Sequence, residues 1–150
     1  MNDAATSARM IAPDLVATGP DGTRIVAWRR RTDGRIVFPM PAQQAGERDC
    51  EPVLLRRHGT LWSWTVQRFR PKTPPYIGPD PEAFRRYAVG YVEFPEGIIV
   101  EGRIDVDVDS GGLQIGTLME TTVIPLFTDC DGRPVQIYAF RPVEQHRALA

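Results

Sequence analysis

The sequence is poor in the residues that cross-link chains, hold metals or attack substrates. Its 150 residues include 2 cysteines and 2 histidines, too few for a disulfide scaffold and without a spacing that pairs them. Neither histidine, His58 or His146, lies in a recognisable motif with a serine or cysteine. No Gly-rich phosphate loop or dinucleotide fingerprint is present. The residues therefore give little support to a nucleophilic or nucleotide-dependent enzyme.

Long apolar runs and a strong net charge are also missing. The stretch from Met1 to Arg9 has no apolar run that could serve as a signal peptide, and no segment approaches the length of a membrane span. The formal net charge is −1, which argues against bulk attraction to nucleic acid or to an anionic membrane. The sequence predicts a cytoplasmic protein with free thiols at Cys50 and Cys130.

Strand and turn signals repeat along most of the chain, whose length fits a single domain with its own core. Two short strands are predicted from Thr23 to Trp28 and from Ile36 to Phe38. Five longer strands follow, predicted at 61–69, 87–94, 98–104, 119–127 and 135–140. Turn residues at 95–97 predict that the strands 87–94 and 98–104 form a hairpin. Turn residues at 131–132 predict a second hairpin from the strands 119–127 and 135–140. Five such strands are the number in an OB-fold.

Three connecting segments have local signals of their own. A helix is predicted from Asp80 to Arg86. Asp80 can cap it, Pro81 occupies the first helical position and Glu82 lies in the first turn. Residues 1–12 are small and polar, which predicts a frayed N-terminus. A short docking turn is predicted from Ile11 to Val16.

An acidic run, Asp105–Asp109, resembles the start of an EF-hand calcium loop. Ser110 stands where that loop needs glycine, and Gly116 stands where it needs a bidentate glutamate. A polar turn is therefore favoured over a calcium site, with Leu113 and Ile115 returning to the core.

The order and spacing of several motifs resemble one family. In chain order these motifs are Gly34-Arg-Ile-Val-Phe-Pro39, Glu51-Pro-Val53, Gly59–Val66, Val89–Glu93, Leu113–Gly116 and Tyr138–Val143. They resemble the two-part bacterial and archaeal proteins with an N-terminal zinc ribbon and a C-terminal OB-fold. Proteins of that family accompany thiolase-like enzymes, including lipid-transfer-type thiolases, and handle acyl-CoA.

The resemblance implies a ribbon whose metal ligands have been lost. Two Cys-x-x-Cys-Gly segments would hold zinc in such a ribbon, but the corresponding positions here are Arg30 and Asp33, then Ala42 and Ala45. These residues cannot build a tetrahedral thiolate site. We therefore predict a protein without zinc or any other metal.

The resemblance also implies four parts of the chain. We expect an N-terminal arm over 1–22, a degenerate rubredoxin- or zinc-ribbon-like segment over 23–52, an all-β five-stranded OB-fold barrel over 53–143 and a C-terminal tail over 144–150. The implied function is that of a non-catalytic accessory subunit that binds or positions acyl-CoA or CoA. The thiolase-like partner would perform condensation, thiolysis or retro-aldol cleavage, and no cofactor would be bound permanently.

Two neighbouring segments are the candidate binding sites. Arg68, Arg70 and Lys72 alternate at the end of the first barrel strand, which predicts three cations on one face of an extended segment. These cations could bind the phosphates of CoA, or they could form an ordinary solvated edge. The next segment, Pro74, Pro75, Tyr76 and Ile77, is an apolar, proline-stiffened loop that suits a partner interface.

The alternative function is a stand-alone OB-fold module for single-stranded nucleic acid. Trp62, Trp64, Phe69 and Tyr91 could stack on bases. Because Trp62 and Trp64 lie two residues apart, they are predicted to share one strand face, which is more often core or interface than a base platform. No basic groove lies beside them in the sequence, so nucleic acid is disfavoured. An independent hydrolase or thioesterase has still less support.

Overall fold

A five-stranded β-barrel and a smaller N-terminal sheet make up the computed structural model, which describes residues 7–40 and 49–144. The elements in these residues are β1 (Arg9–Met10), a 3-10 helix (Pro13–Leu15), β2 (Val16–Gly19), β3 (Gly22–Arg30), β4 (Ile36–Val37), β5 (Cys50–Leu54), β6 (His58–Gln67), a second 3-10 helix (Pro81–Ala83), β7 (Tyr87–Phe94), β8 (Ile98–Ile104), β9 (Leu118–Thr128) and β10 (Pro134–Pro142). No helix in these residues is long and apolar enough to cross a membrane.

The barrel consists of strands β6 to β10. They are paired in the order β6-β7-β8-β10-β9, and β9 pairs again with β6, so the sheet closes on itself. All of these pairings are antiparallel except β8 with β10, where Arg103 lies opposite Ala139 in parallel register. This arrangement confirms the predicted all-β, five-stranded OB-fold, in which every barrel strand has a neighbour on each side.

Both predicted hairpins are present. Strands β7 and β8 have the bounds predicted from the sequence, and Gly97 between them has φ +87° and donates its N–H to the Phe94 carbonyl at 2.9 Å. Gly132 in the second hairpin has φ +75° and donates to the Asp129 carbonyl at 3.0 Å. Positive φ is the conformation that favours glycine, which explains why these local signals could be read from the sequence.

The core lies inside the barrel and extends into the N-terminal sheet. Its buried residues are Ile25, Ala27, Leu55, Leu61, Ala88, Val92, Phe94, Val100, Ile104, Met119 and Phe140. Gly102 of β8 makes room for two rings, since a Cβ there would lie 2.7 Å from Phe140 and 2.9 Å from Tyr138. The core is therefore continuous across the predicted boundary between the ribbon-like segment, 23–52, and the barrel, 53–143.

The N-terminal sheet is organised around β3. Strand β2 pairs with its first half, β5 pairs with its second half, and β4 pairs with Trp28 and Arg29. Phe38, just after β4, packs edge-to-face on Tyr138 of the barrel with ring centroids 5.9 Å apart. The two short strands predicted for this region are thus confirmed, and its apolar side chains attach it to the barrel.

The prediction of a frayed N-terminus is wrong for residues 9–11. Arg9 and Met10 pair in parallel with β10, and Ile11 donates its N–H to the Gln136 carbonyl at 2.9 Å. This pairing is possible because β8 pairs with β10 only around Ala139, which leaves the first half of β10 free on that side. Residues 1–6 lie outside the described residues.

The prediction of a helix from Asp80 to Arg86 is also wrong. Only the 3-10 helix Pro81–Ala83 forms, the Asp80 side chain makes no capping hydrogen bond, and Phe84 is already extended at φ −63° and ψ 133°. The Phe84 ring packs between Tyr76 and Tyr87, with ring centroids at 6.5 and 6.1 Å. These tertiary contacts and the start of β7 override a local signal that spans fewer than two turns.

The acidic run forms the predicted polar turn in the loop between β8 and β9. Asp107 accepts a hydrogen bond from the Asp109 N–H at 2.9 Å, and Asp109 forms an ion pair with Arg86. Leu113 packs against the core as expected. Ile115 does not, because it is 69% exposed.

Candidate functional site

A β-bulge in β6 determines where the two neighbouring tryptophans point. Leu61 lies opposite Val92 and Ser63 lies opposite Tyr91, so Trp62 is the extra residue on β6. The bulge breaks the alternation of side chains along the strand. The prediction that Trp62 and Trp64 share one face is therefore wrong.

Trp62 lies on the outer surface of the barrel. Its ring packs edge-to-face on Tyr91 with centroids 6.3 Å apart, and the two side chains are 54% and 42% exposed. Ile99 and Leu118 are also about half exposed. Directly paired residues share a sheet face, and the pairings Leu118–Thr60, Thr60–Glu93 and Glu93–Ile99 carry this surface across four strands. We call Trp62, Tyr91, Ile99 and Leu118 the outer apolar face.

The charged residues beside the Trp62–Tyr91 pair are two carboxylates, while Arg103, further along β8 on the same face, lies over the Tyr87 ring. Glu93 lies between Thr60 and Ile99 in the pairing, and Glu101 lies opposite Tyr91. A single-stranded nucleic acid would need cations beside the stacking rings to hold its phosphates. The two carboxylates next to the Trp62–Tyr91 pair make this surface a poor nucleic-acid platform and a better site for a protein partner.

Trp64 lies on the other side of β6, opposite Gly90. Gly90 belongs to the inward-facing residues of β7, which alternate with exposed ones. The Trp64 side chain therefore turns towards the barrel end, where it lines a cavity of about 240 Å³ together with Val106, Val108 and Leu113.

The three predicted CoA-binding cations lie beyond the last residue of β6, Gln67. Arg68 and Lys72 are exposed, whereas Arg70 is half-buried. The Arg70 Nε donates to the Pro79 carbonyl at 3.0 Å, and its guanidinium lies 5.2 Å from the centre of the Tyr76 ring. Arg70 therefore helps to hold the loop, and Arg68 and Lys72 have charges available to a ligand.

The predicted interface loop, Pro74 to Ile77, divides into an inner and an outer part. The peptide bonds that precede Pro74 and Pro75 are both cis. Tyr76 packs on Phe84 and is half-buried, whereas Ile77 is 56% exposed. Ile77 is thus the apolar side chain of this loop most available to a partner.

The first predicted ligand segment of the ribbon is a tight turn. Arg30 and Asp33 form an ion pair at 3.1 Å, and Gly34, at φ +71°, donates to the Arg30 carbonyl. The hydrogen bond from the Arg35 N–H, followed by the Arg30 charge, lowers the pKa of Asp33 despite some desolvation. Ala42 and Ala45, the second predicted pair, lie outside the described residues.

A cluster around Glu120 was missed by the sequence analysis. Its carboxylate lies 2.6 Å from Arg141, 3.2 Å from Arg57 and 3.7 Å from His58. Burial alone would raise the pKa of Glu120, but the Arg141 hydrogen bond and the Arg57, Arg141 and His58 charges outweigh it and lower the pKa. Arg57 and His58 are far from Glu120 and Arg141 in the sequence, so only the pairing of β6 with β9 brings them together.

Neither cysteine belongs to the Glu120 cluster, since Cys50 is buried in β5 and Cys130 is exposed in the last hairpin. Within residues 7–40 and 49–144, no three His, Cys, Asp or Glu side chains form a group that could hold a metal ion.

Comparison with known proteins agrees with this architecture. Residues 52–123 match the family model described as ChsH2, C-terminal OB-fold domain. Among solved structures, the chain is similar to one in the Ltp2-ChsH2(DUF35) aldolase, with 20% identity over 79% of this chain and 84% of that chain and a TM-score of 0.52. No curated protein matches the chain. These likenesses support the OB-fold part of the predicted resemblance, while the zinc-ribbon part stays a prediction.

Proposed function

We propose that this protein is a non-catalytic accessory subunit of a thiolase-like enzyme and that it docks on its partner through the outer apolar face. The observation that carries the proposal is the exposure of Trp62, Tyr91, Ile99 and Leu118 on one side of a closed barrel. Several large apolar side chains exposed on one face are typical of a protein interface. Trp and Tyr are also the residue types most often found at energetic hot spots.

The comparisons and the side-chain chemistry support the same function. The name of the similar structure pairs an OB-fold family with a second component, Ltp2, in one aldolase. His58, the one histidine among the described residues, shares its carboxylate neighbour Glu120 with two arginines. A carboxylate neutralised in this way is poorly suited to activate a histidine as a general base. The partner would then supply the nucleophile and the acid–base groups.

We further propose that the assembled complex binds acyl-CoA or CoA and that Arg68 and Lys72 contact its phosphates. Both side chains are exposed, and charge-assisted hydrogen bonds to phosphate are strong. Arg70 would hold the loop in place through Pro79 and Tyr76. The exposed Ile77 at the end of this loop gives a second contact with the partner.

Docking is tested by mixing the chain with a thiolase-like protein from the same genome and measuring the affinity of the complex. Trp62→Asp should weaken assembly by about 2 kcal/mol or more, as loss of an aromatic hot spot does. The matched control is Leu54→Asp, because Leu54 is 53% exposed but lies on β5 in the N-terminal sheet. Equal effects of the two changes, or no complex with the wild type, would contradict docking through the outer apolar face.

The contribution of the loop is measured separately with Ile77→Asp. If Ile77→Asp abolishes assembly and Trp62→Asp does not, the partner interface lies at residues 74–77 and not on the outer apolar face. The melting temperatures of both variants should stay near that of the wild type, because both side chains are more than half exposed.

CoA binding is tested by calorimetry on the assembled complex. Replacing Arg68, Arg70 and Lys72 together with Ala should weaken CoA binding about tenfold or more and flatten its salt dependence, since one hydrogen bond to a charged group contributes about 1.5–3 kcal/mol. Arg29→Ala, at an arginine paired with Glu51 in the N-terminal sheet, is the control. If the triple variant binds CoA with unchanged affinity, the three cations do not contact the CoA phosphates and belong to a solvated edge.

The non-catalytic assignment predicts that the isolated chain turns over no acyl-CoA. Activity should appear when the thiolase-like partner is added. Thioester hydrolysis or carbon–carbon cleavage by the isolated chain at an enzyme-like rate would contradict the accessory role.

A further inference from the structure

The cavity beside Trp64 is formed by parts of the chain that meet only in the folded barrel. The bulge at Trp62 turns Trp64 to the inner side of β6. The loop between β8 and β9 then crosses the barrel end, with Val106, Val108 and Leu113 packed against the core. These three side chains and two loop glycines, Gly111 and Gly112, border an open space. The lining is Trp64, Val106, Asp107, Val108, Ser110, Gly111, Gly112, Leu113, Thr117 and Pro142.

The polar groups in this lining are already used by the loop itself. Asp107 accepts a hydrogen bond from the Asp109 N–H at 2.9 Å, and the Ser110 hydroxyl donates to the Asp107 carbonyl at 2.8 Å. The Thr117 hydroxyl donates to the Gln114 carbonyl at 2.6 Å. A ligand therefore meets mainly apolar surface from Trp64, the valines, Leu113 and Pro142, and recognition must rest on apolar contact.

The size of the cavity points to a small hydrocarbon group. Protein interiors are close-packed and contain few voids larger than a water molecule. An apolar cavity of about 150 Å³ is sufficient to bind benzene, and this one measures about 240 Å³. The walls could accept a group longer than a single ring, while the carboxylate of Asp107 at the rim would repel an anionic head.

We infer that this cavity is a binding site for a short, uncharged aliphatic chain, which enters the barrel end between Trp64 and the β8–β9 loop. Trp64 and Leu113 would contact the chain, and the polar end of the ligand would stay near Ser110 at the rim. The site is separate from the outer apolar face, because Trp64 and Trp62 point to opposite sides of β6. The inference does not depend on the proposed docking or on CoA.

Trp64 itself can report the binding. In a chain with Trp28→Phe and Trp62→Phe, Trp64 is the one remaining tryptophan. Titration with hexan-1-ol and octan-1-ol should give a saturable change in its fluorescence, with octan-1-ol binding more tightly because each buried CH₂ contributes about 0.8 kcal/mol. Octanoate should bind more weakly than octan-1-ol because of Asp107. Benzene is included as the aromatic probe, and a clear preference for it over octan-1-ol would contradict the aliphatic assignment.

The location is tested by filling the cavity. Val108→Phe or Leu113→Phe in the same background should weaken octan-1-ol binding by about tenfold, since the added ring occupies the space of the ligand. Ile99→Phe, a comparable enlargement on the outer apolar face, should leave the affinity unchanged. The melting temperature of the wild type should also rise with octan-1-ol through linkage, which gives a readout that survives poor folding of a filled variant. Absence of saturable binding, or equal affinity in the filled and Ile99→Phe proteins, would overturn the inference.

Discussion

The barrel and the N-terminal sheet differ in how their strands are paired with neighbouring strands. Each barrel strand has a partner on both sides, since β9 pairs with both β10 and β6. In the N-terminal sheet, β3 is central and its neighbours β2, β4 and β5 have pairings with β3 alone among the described residues. Ile25 and Ala27 of β3 nevertheless share the core of the barrel. The comparison indicates that the barrel is stable through its own closure, whereas the sheet depends on the surface that the barrel offers.

An arginine adds a polar connection between the two regions. Arg57 binds Glu120 of β9, and its guanidinium lies so close to Gly22 of β3 that a Cβ there would be 2.7 Å from Nε. The barrel cluster around Glu120 thus also positions the turn between β2 and β3. Changes in the barrel core, at the contact between the regions and in the Glu120 cluster should therefore have effects of decreasing size.

The largest effect is expected in the barrel core. Phe140 is fully buried and packs on Phe94 and Tyr138 with ring centroids 5.9 Å away. Phe140→Ala should lower the free energy of unfolding by about 3–5 kcal/mol, because the transfer term and the cavity term add. Urea denaturation measures this loss. A loss below about 1 kcal/mol would mean that the barrel does not depend on this ring.

Phe38→Ala should have a smaller effect, confined to the contact between the regions. The ring is half-buried and packs edge-to-face on Tyr138. We expect a loss of about 2 kcal/mol from reduced burial and the aromatic contact. Hydrogen exchange should show faster opening of β3 and β4, with protection of β7 and β8 kept. If β7 and β8 lose as much protection from hydrogen exchange as β3 and β4, the barrel is not more stable than the N-terminal sheet in this variant.

Glu120→Gln should make the free energy of unfolding less dependent on pH in the acid range. The pKa of Glu120 is lowered from its ordinary value of 4.5 in the folded state, so its stabilising contribution is present above pH 4.5 and is lost as the pH falls through the folded-state pKa. At neutral pH the variant should be less stable by about 1–2 kcal/mol, because Arg57 and Arg141 lose a charged partner.

The difference between the wild type and Glu120→Gln should shrink on acidification below pH 4.5. The pKa values of Asp33 and Asp129 are also lowered, so some pH dependence remains in the variant. A difference that is constant between neutral pH and pH 3 would show that the Glu120 charge does not stabilise the fold.

The smallest effect is expected from metal removal. Cys50, Cys130, His58 and His146 cannot supply thiolate or imidazole ligands at ribbon spacing. Treatment with a chelator should leave the melting temperature unchanged, and elemental analysis should find no stoichiometric zinc. About one zinc per chain would show that the N-terminal sheet is held by metal and not by its contact with the barrel.

Local chemistry made much of the barrel predictable. Alternating burial in β7 and a turn that ends in Gly97 specify a hairpin without help from the rest of the chain, and both strand bounds were correct. The predicted helix at Asp80 failed because packing of Phe84 on Tyr76 and Tyr87 is absent from any local signal. The candidate sites depended on such non-local contacts even more strongly, as Arg70 shows by bonding to Pro79.

The sequence by itself determined the five barrel strands, their hairpins and the all-β class, because side-chain alternation and positive-φ glycines act within a few residues. Only the tertiary structure decided the faces of Trp62 and Trp64, since a bulge arises from the pairing of β6 with β7. The pairings of β9 with β6 and with β10 likewise assembled Glu120 with Arg57 and Arg141, since His58 and Arg141 lie directly opposite Glu120. These outcomes depend on strand register across the whole barrel, which no short stretch of sequence contains.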